Sequence, residues 1–148
     1  MPRARPKPRR GKRFVLDCSV AIAWFFADET DPYADSVAKS LKEAIALVPG
    51  LFHLEIANIL LVGERRKRSN RAQAESFLTR LAALPLVVDG QTATRAWSDT
   101  IALARSNGLS TYDAAYLEVA IRESLPIATL DDELRDAAIA IGVQLYKR

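Results

Sequence analysis

The sequence has one cysteine, Cys18, and one histidine, His53, among its 148 residues. A single cysteine excludes an intramolecular disulfide, and so few thiol and imidazole groups exclude a zinc site built from cysteine and histidine. A lone thiol fits a reducing compartment, so we expect a cytoplasmic protein. One histidine also offers no obvious Ser/His or Cys/His pair for nucleophilic catalysis. Any chemistry is therefore expected to come from other side chains.

Long apolar runs are also missing. No stretch of about 18 residues, roughly the length that a membrane-spanning helix needs, is free of charge. The nearest candidate, residues 14–27, is interrupted by Asp17. We therefore expect no transmembrane helix and no membrane partner. The length and the 49% hydrophobic content are typical of one globular domain with one core.

Acidic residues are absent from the first 13 positions. Residues 1–13 hold seven of the 21 basic residues and none of the 18 acidic ones, which leaves a net charge of −4 for the rest of the chain. Three prolines lie in the same stretch. We predict that residues 1–12 form a basic, disordered tail and residues 13–148 a folded domain. The tail either attracts nucleic acid phosphates or is only a solubilising or misassigned start.

What is present is an alternation of short apolar runs and longer helical segments. Strands are predicted at residues 14–16, 45–48, 86–88, 126–129 and 143–146. Helices are predicted at residues 21–27, 32–44, 51–66, 72–83, 92–106, 112–123 and 131–141, with Asp31 and Ser110 as N-caps and Gly108 as a left-handed C-cap. Strands that alternate with helices predict an α/β fold with a parallel sheet of about five strands and helices on both faces.

Four acidic residues stand beside the apolar runs. Asp17 follows the first strand, and Asp131 follows the fourth. Asp113 lies in the first turn of a helix that is apolar nearly all round, and Glu55 lies among the apolar residues of the long helix. Functional sites of open parallel sheets form beyond the carboxyl ends of the strands. We therefore predict that the four acids meet at one site.

Each acid also has a purely structural explanation. Asp17 would be a turn residue, Glu55 the edge of an amphipathic helix, Asp113 a favourable charge at a helix N-terminus, and Asp131 an N-cap. Four separate explanations are then needed where one site suffices. Asp132 is the alternative to Asp131 as the fourth acid.

Clustered carboxylates predict a bound cation. Two carboxylates about 4 Å apart repel each other by roughly 4 kcal/mol at an effective dielectric constant near 20, so four can share a pocket only with protons or cations between them. Oxygen ligands without cysteine or histidine favour Mg²⁺ or Mn²⁺. Such ions bind phosphate oxygens and activate water, which indicates hydrolysis of a phosphodiester bond.

A basic turn and several aromatic residues have open roles. The turn at Arg65, Arg66, Lys67 and Arg68 follows the helix of Glu55 and either contacts RNA or a partner, or is a solvated hairpin tip. Trp24, Phe25 and Phe26 are predicted to lie in the core, with base stacking as the lesser alternative. Trp97 is assigned to packing or to a dimer interface.

These residues resemble a known pattern. The segments concerned are Val15-Leu16-Asp17-Cys18-Ser19, Pro49-x-Leu51-x-x-x-Glu55-x-x-Asn58, Leu109-Ser110-Thr111-Tyr112-Asp113-Ala114-Ala115-Tyr116-Leu117 and Ile127-Ala128-Thr129-Leu130-Asp131-x-x-Leu134. In this order and spacing the chain resembles the PIN-domain ribonucleases and, within them, the VapC toxins of bacterial toxin–antitoxin pairs. The resemblance runs from about Arg13 to Leu145.

The resemblance carries its own expectations. It implies a three-layer α/β/α domain, with Asp17 and Asp113 as the most direct metal ligands and Glu55 and Asp131 completing the catalytic set. It implies that Ser19, Asn58 and Thr129 orient these acids or the waters on the metal. It further implies cleavage of RNA, such as transfer or ribosomal RNA, a homodimer, and a cognate VapB-like antitoxin that blocks the active site.

Two other functional classes remain. A catalytically silent PIN-like domain would bind RNA or a protein without cutting, but a binding module does not need buried acids. A phosphate-accepting receiver domain is also α/β with clustered aspartates. It would need a second acid beside Asp17 and a lysine after a strand of its site, whereas Lys147 is next to the last residue.

Overall fold

The computed structural model describes residues 12–147, which form four strands and eight α-helices. The strands are β1 (Lys12–Leu16), β2 (Ala44–Val48), β3 (Leu86–Val88) and β4 (Ile127–Ala128). The helices are α1 (Cys18–Ala23), α2 (Pro32–Ser40), α3 (Phe52–Arg65), α4 (Arg71–Ala82), α5 (Thr92–Arg95), α6 (Ile101–Asn107), α7 (Thr111–Glu123) and α8 (Asp132–Ala140). A π-helical turn, Ala96–Thr100, joins α5 to α6, and a 3₁₀ turn, Ala27–Glu29, follows α1. The predicted basic tail lies outside the described residues, except for Lys12, with which β1 begins.

The order of the strands places β1 and β4 side by side. All pairs are parallel and the strand order is β3-β2-β1-β4, so β1 lies between β2 and β4. The chain leaves β1 towards β2 on one side and later returns to the other side of β1 as β4. Such a change of direction opens a crevice beyond the carboxyl ends of the two strands. The residues that follow β1 and β4 therefore meet at this crevice.

Helices cover both faces of the sheet. Right-handed crossovers put α1 to α4 on one face and α5 to α8 on the other. The contacts agree, because α1 packs against α2 and α3, while α7 packs against α6, α8 and three strands. Helix α7 is buried continuously from Ala114 to Ala120, since it lies directly on the sheet. The α/β architecture predicted from the alternation of segments is confirmed.

Local signals positioned the helix ends correctly. The Asp31 carboxylate accepts hydrogen bonds from the backbone N–H groups of Tyr33 at 2.8 Å and Ala34 at 3.1 Å, and so caps α2. Gly108 has φ of 63° and ends α6 in the left-handed conformation that glycine adopts without strain. Ser110 caps α7 through a bond from the Asp113 backbone N–H at 3.1 Å.

Several predicted boundaries differ from the structure, and the helix predicted at residues 92–106 is interrupted by the π-helical turn Ala96–Thr100. The last predicted strand, residues 143–146, is reduced to one parallel bridge between Leu145 and Ile127, because β4 is only two residues long and offers no further pairing. Helix α2 ends at Ser40, since Ala44 already pairs with Lys12. Helix α1 begins at Cys18, directly after β1. Within residues 12–147, no helix is long and apolar enough to cross a membrane.

Candidate active site

Asp17 stands at the centre of the crevice. Its backbone N–H donates to the carbonyl of Ala128 at 3.0 Å, which continues the pairing of β1 with β4 and sets Asp17 beside Thr129. The residue is only 3% exposed. Two hydroxyls donate to its carboxylate oxygen Oδ2, from Ser19 at 2.5 Å and from Thr129 at 2.8 Å. No hydrogen bond to Oδ1 is found among residues 12–147, so this oxygen remains available to a ligand.

The two hydroxyls are themselves held in place. Ser19 Oγ accepts a hydrogen bond from the N–H of Leu130 at 2.9 Å, and Thr129 Oγ1 accepts one from the N–H of Asp131 at 3.0 Å. Each hydroxyl has one proton, which it gives to Asp17, and a lone pair that receives an amide proton. The loop after β4 is thereby tied to the acid after β1. Ser19 and Thr129 thus both contact the Asp17 carboxylate, and the supporting role that the resemblance implies for them stays a prediction.

Asp113 enters the site from the first turn of α7. Its backbone N–H donates to Ser110 Oγ at 3.1 Å, and the Ser110 hydroxyl also interacts with its carboxylate. The side chain is half-buried in the crevice. Burial raises the pKa of Asp113, and the charges of Asp131 and Glu133 raise it further, against the lowering effect of Ser110. Glu133 is a nearby acid that the sequence analysis did not single out.

Glu55 enters from the first turn of α3 and is held by a tyrosine. The Tyr116 hydroxyl donates to Glu55 Oε1 at 2.6 Å. Burial raises the pKa of Glu55, Tyr116 opposes this rise, and the charges of Asp17 and Asp113 add to it. Tyr116 lay within the motif used for the resemblance but had no assigned role. Its spacing of three residues from Asp113, which puts both on one helix face, is the signal that was missed.

Asp131 caps a helix and also acts electrostatically on two of the other acids. Its Oδ1 accepts the N–H of Leu134 at 2.8 Å, so it is the N-cap of α8 as the structural explanation required. Its charge also raises the pKa of Asp17 and of Asp113, so it faces the same crevice. The alternative, Asp132, is exposed and pairs with Arg135 at 3.0 Å. The geometry therefore favours Asp131 as the fourth acid.

Asp17, Glu55 and Asp113 each have a pKa that is raised in part by the charge of another acid of the predicted set. Burial is the main cause of the raised pKa of Asp17, the hydrogen bonds from Ser19 and Thr129 oppose it, and the charges of Asp113 and Asp131 add to it. Such mutual effects need short separations in a poorly hydrated space. The neighbouring Cys18 thiol also has a raised pKa, mainly through burial and then through Asp17 and Glu55, so it stays protonated at neutral pH. The ionised ligands offered here are therefore carboxylates.

The donor set fits a hydrated divalent cation. Across residues 12–147, no three His, Cys, Asp or Glu side chains lie close enough together to enclose a metal ion. Mg²⁺ does not require such a cage, because it keeps several waters and binds through one or two carboxylates. Asp17 Oδ1 and the Asp113 carboxylate are the groups that would hold it. A bound cation would remove the repulsion between these carboxylates, so it would stabilise them more than it would an isolated acid.

The surroundings of Asn58 and of the basic turn do not decide their predicted roles. Asn58 lies one turn after Glu55 on α3, but its side chain is exposed and makes no hydrogen bond within residues 12–147. In the basic turn, Arg68 pairs with Asp28 at 3.1 Å and Glu29 at 3.3 Å, and its guanidinium lies 4.0 Å from the centre of the Phe26 ring. Arg68 therefore fastens the turn to the domain. Arg65, Arg66 and Lys67 are exposed and form no ion pair within the described part of the chain.

The aromatic residues divide into two groups. Phe26 is buried, and Trp24 and Phe25 pack against the core, as predicted. Trp97 is 94% exposed on the π-helical turn, so it does not pack within the described part of the chain, and the dimer-interface alternative stays a prediction.

We expect metal-free protein to lose stability as the pH rises from about 4 towards 7. The pKa values of Asp17, Glu55 and Asp113 are raised in the folded state, so between the unfolded and folded values the folded protein binds more protons. The free energy of unfolding must then fall as the pH rises through this interval. Urea denaturation in EDTA, compared between wild type and Asp113→Asn, isolates the effect of one acid. If the difference in the free energy of unfolding between the two proteins stays the same at every pH, the raised pKa of Asp113 is contradicted.

Comparisons with known proteins agree with the geometry. A family model described as PIN domain matches residues 14–140, which include all four acids. Ribonuclease VapC3 of Pyrobaculum aerophilum is 27% identical over 124 residues, covering 84% of this chain and 93% of that protein.

Solved structures share the fold. PAE2754 from Pyrobaculum aerophilum has a TM-score of 0.64 at 23% identity, with 89% of this chain and 83% of that chain covered. VapBC2 from Rickettsia felis, bound to a DNA fragment from their promoter, has a TM-score of 0.62 at 14% identity, with 90% and 97% covered. FitAcB from Neisseria gonorrhoeae has a TM-score of 0.59 at 17% identity, with 90% and 96% covered. At these identities the likeness shows a common architecture.

Proposed function

Because this chain belongs to the PIN-domain family, we propose that it is a Mg²⁺- or Mn²⁺-dependent endoribonuclease that hydrolyses RNA phosphodiester bonds. PIN domains are typically nucleases, and a relative at 27% identity is named a ribonuclease. The observation that carries the proposal is the electrostatic coupling of Asp17, Glu55, Asp113 and Asp131 in one crevice. The raised pKa values of Asp17, Glu55 and Asp113 mean that these charges are costly together, a cost that a bound cation would relieve.

The chain's own groups divide the work of such a reaction. Asp17 and Asp113 would hold the divalent cation, which when bound would polarise a phosphate oxygen and stabilise the leaving oxygen. Ser19 and Thr129 keep Asp17 in one orientation, since both donate to Oδ2. Glu55, held at Oε1 by the Tyr116 hydroxyl, would bind the cation or one of its waters beside Asp17 and Asp113. Asp131 adds negative charge at the crevice and caps α8.

The substrate and partners follow from the same assignment. The exposed cations Arg65, Arg66 and Lys67 contribute to attraction of an RNA backbone, while Arg68 is held by the domain. We further propose that the protein is the toxin of a VapBC-type pair, acts in the cytoplasm on transfer or ribosomal RNA, and forms a homodimer. The support is the likeness to VapC3 and to the VapBC2 structure. The tail at residues 1–12 is proposed as an additional RNA-attracting arm.

Cleavage of RNA by the purified protein tests the activity. We expect end-labelled transfer or ribosomal RNA to be cut in Mn²⁺ or Mg²⁺ and to stay intact in EDTA. The Asp17→Asn variant is expected to cut at least about 100-fold more slowly, which is the scale for losing one electrostatic group at a reacting centre. A wild-type preparation that binds RNA but cuts none in any divalent ion would overturn the proposal.

That negative result would instead identify a catalytically silent RNA-binding domain. One observation favours this second candidate: among residues 12–147, no three acids are grouped closely enough to hold a metal ion between them.

The toxin assignment is tested separately through the neighbouring genes. We expect a short upstream gene with a DNA-binding fold, whose product forms a complex with this protein and stops cleavage. Absence of such a product would remove the toxin role and leave the nuclease activity untouched.

A further inference from the structure

Tyr116 makes a contact that packing alone does not require. Its side chain is 0% exposed on α7, and its hydroxyl donates to Glu55 Oε1 at 2.6 Å. This length is typical of a hydroxyl bonded to an ionised carboxylate. The Cys18 thiol also interacts with both members of the pair. Glu55 is thus held by groups from two other helices.

A phenol at this depth is costly without a partner. A buried hydroxyl loses its hydration, and a phenylalanine ring would fill the same space without that loss. The partner that the fold supplies is an acid of the candidate active site, 61 residues away in the sequence. Helix α7 also carries Asp113 one turn earlier on the same face. One buried helix therefore sets the position of two acids, one directly and one through the tyrosine.

We propose that Tyr116 is a positioning residue for the nuclease site. Its hydroxyl holds Glu55 by Oε1 and so fixes the orientation in which the carboxylate meets the divalent cation or one of its waters. The proposal rests on the proposed function, because it assigns Glu55 a task at the cation. Tyr116 itself is fully buried and touches neither RNA nor cation.

The test is Tyr116→Phe, which removes one oxygen atom and keeps the ring. Loss of a group that orients a metal-binding side chain typically lowers metal affinity or activity 10- to 100-fold. We expect a loss of that size in Mn²⁺ affinity, measured without RNA from the electron paramagnetic resonance signal of unbound Mn²⁺. We also expect a lower kcat for RNA cleavage with little change in KM, because a buried residue makes no contact with substrate.

A matched control separates positioning from stability. The Tyr33 hydroxyl, like that of Tyr116, makes a short hydrogen bond, here to the backbone carbonyl of Tyr146 at 2.7 Å. Tyr33→Phe is expected to lower the melting temperature and leave Mn²⁺ affinity unchanged. Adding Tyr116→Phe to Glu55→Ala is expected to cause no further loss of affinity, since no acid remains to be positioned.

The outcomes distinguish the two proposals. If the wild type binds Mn²⁺ and cuts RNA, and Tyr116→Phe binds Mn²⁺ with the same affinity, only the positioning role is overturned. A wild type that neither binds Mn²⁺ nor cuts RNA would overturn both. Should Tyr116→Phe fail to fold, Glu55→Asp replaces it, because the shorter acid keeps its charge and breaks the same contact. A Glu55→Asp variant with wild-type affinity would equally overturn the role.

Discussion

Replacing Asp113 with asparagine is expected to abolish cleavage of RNA while making the metal-free protein more stable at neutral pH. Asp113 is one of the two groups proposed to hold the cation, so we expect cleavage to fall by at least about 100-fold. Stability is expected to rise because the raised pKa of Asp113 means that its charge opposes folding. Asparagine keeps the size of the side chain and removes the charge next to Asp131 and Glu133.

The variant should fold without local damage. The bond that begins α7 is donated by the backbone N–H of residue 113 to Ser110, and the substitution leaves this group in place. Cleavage of labelled RNA in Mn²⁺, and urea denaturation at pH 7 in EDTA, are the two measurements. Asp132→Asn is the matched control, since Asp132 is exposed and pairs with Arg135. Undiminished cleavage by Asp113→Asn would remove Asp113 from the site, and a large loss in Asp132→Asn would reverse the choice between the acids after β4.

Replacing Arg122 with alanine is expected to destabilise the domain by about 3–5 kcal/mol, the range for removing one partner of a buried ion pair. The guanidinium makes paired bonds to Asp89 at 3.0 and 2.8 Å and to Glu118 at 2.7 and 3.1 Å. The side chains of Arg122, Asp89 and Glu118 are only 14%, 7% and 4% exposed. Without the arginine, two buried carboxylates would be left without their cation.

The effect should be seen in the free energy of unfolding measured with urea. Arg71→Ala is the matched control, because Arg71 and Glu75 form an ion pair of 2.7 Å whose side chains are 85% and 62% exposed. Exposed pairs contribute about 1 kcal/mol or less, so this variant should stay close to wild type. A loss below about 1 kcal/mol in Arg122→Ala as well would show that the network is well solvated. The network also joins the end of β3 to α7, the helix that carries Asp113 and Tyr116.

Much of the architecture could be predicted because its causes are local. Asp31 before Pro32, Gly108 after α6 and Ser110 before α7 act on backbone groups within one turn, and each behaves in the structure as its position in the sequence indicated. The fifth strand could not be predicted in this way. Residues 143–146 have a strand-like composition, but pairing depends on the partner strand, and β4 has only two residues.

Side-chain partners far apart in the sequence were beyond local rules. The sequence predicted that four acids stand beside apolar runs, but it did not show that Tyr116 holds Glu55. The basic turn was treated as one unit, whereas the structure separates Arg68, which binds Asp28 and Glu29, from its exposed neighbours. Trp97 is a large aromatic residue of the kind usually found in a core, yet it is 94% exposed, which its position in the sequence did not indicate.

The sequence by itself determined the alternation of strands and helices, the caps that bound the helices, and an acid after each of the strands β1 and β4. These features depend on hydrophobic periodicity and on hydrogen bonds between residues a few positions apart. Only the tertiary structure decided which groups surround each acid. Asp17 accepts hydrogen bonds from the hydroxyls of Ser19 and Thr129, and Glu55 accepts one from the hydroxyl of Tyr116. The order of the strands brings residues more than 100 positions apart into contact, and burial there turns separate carboxylates into one coupled set.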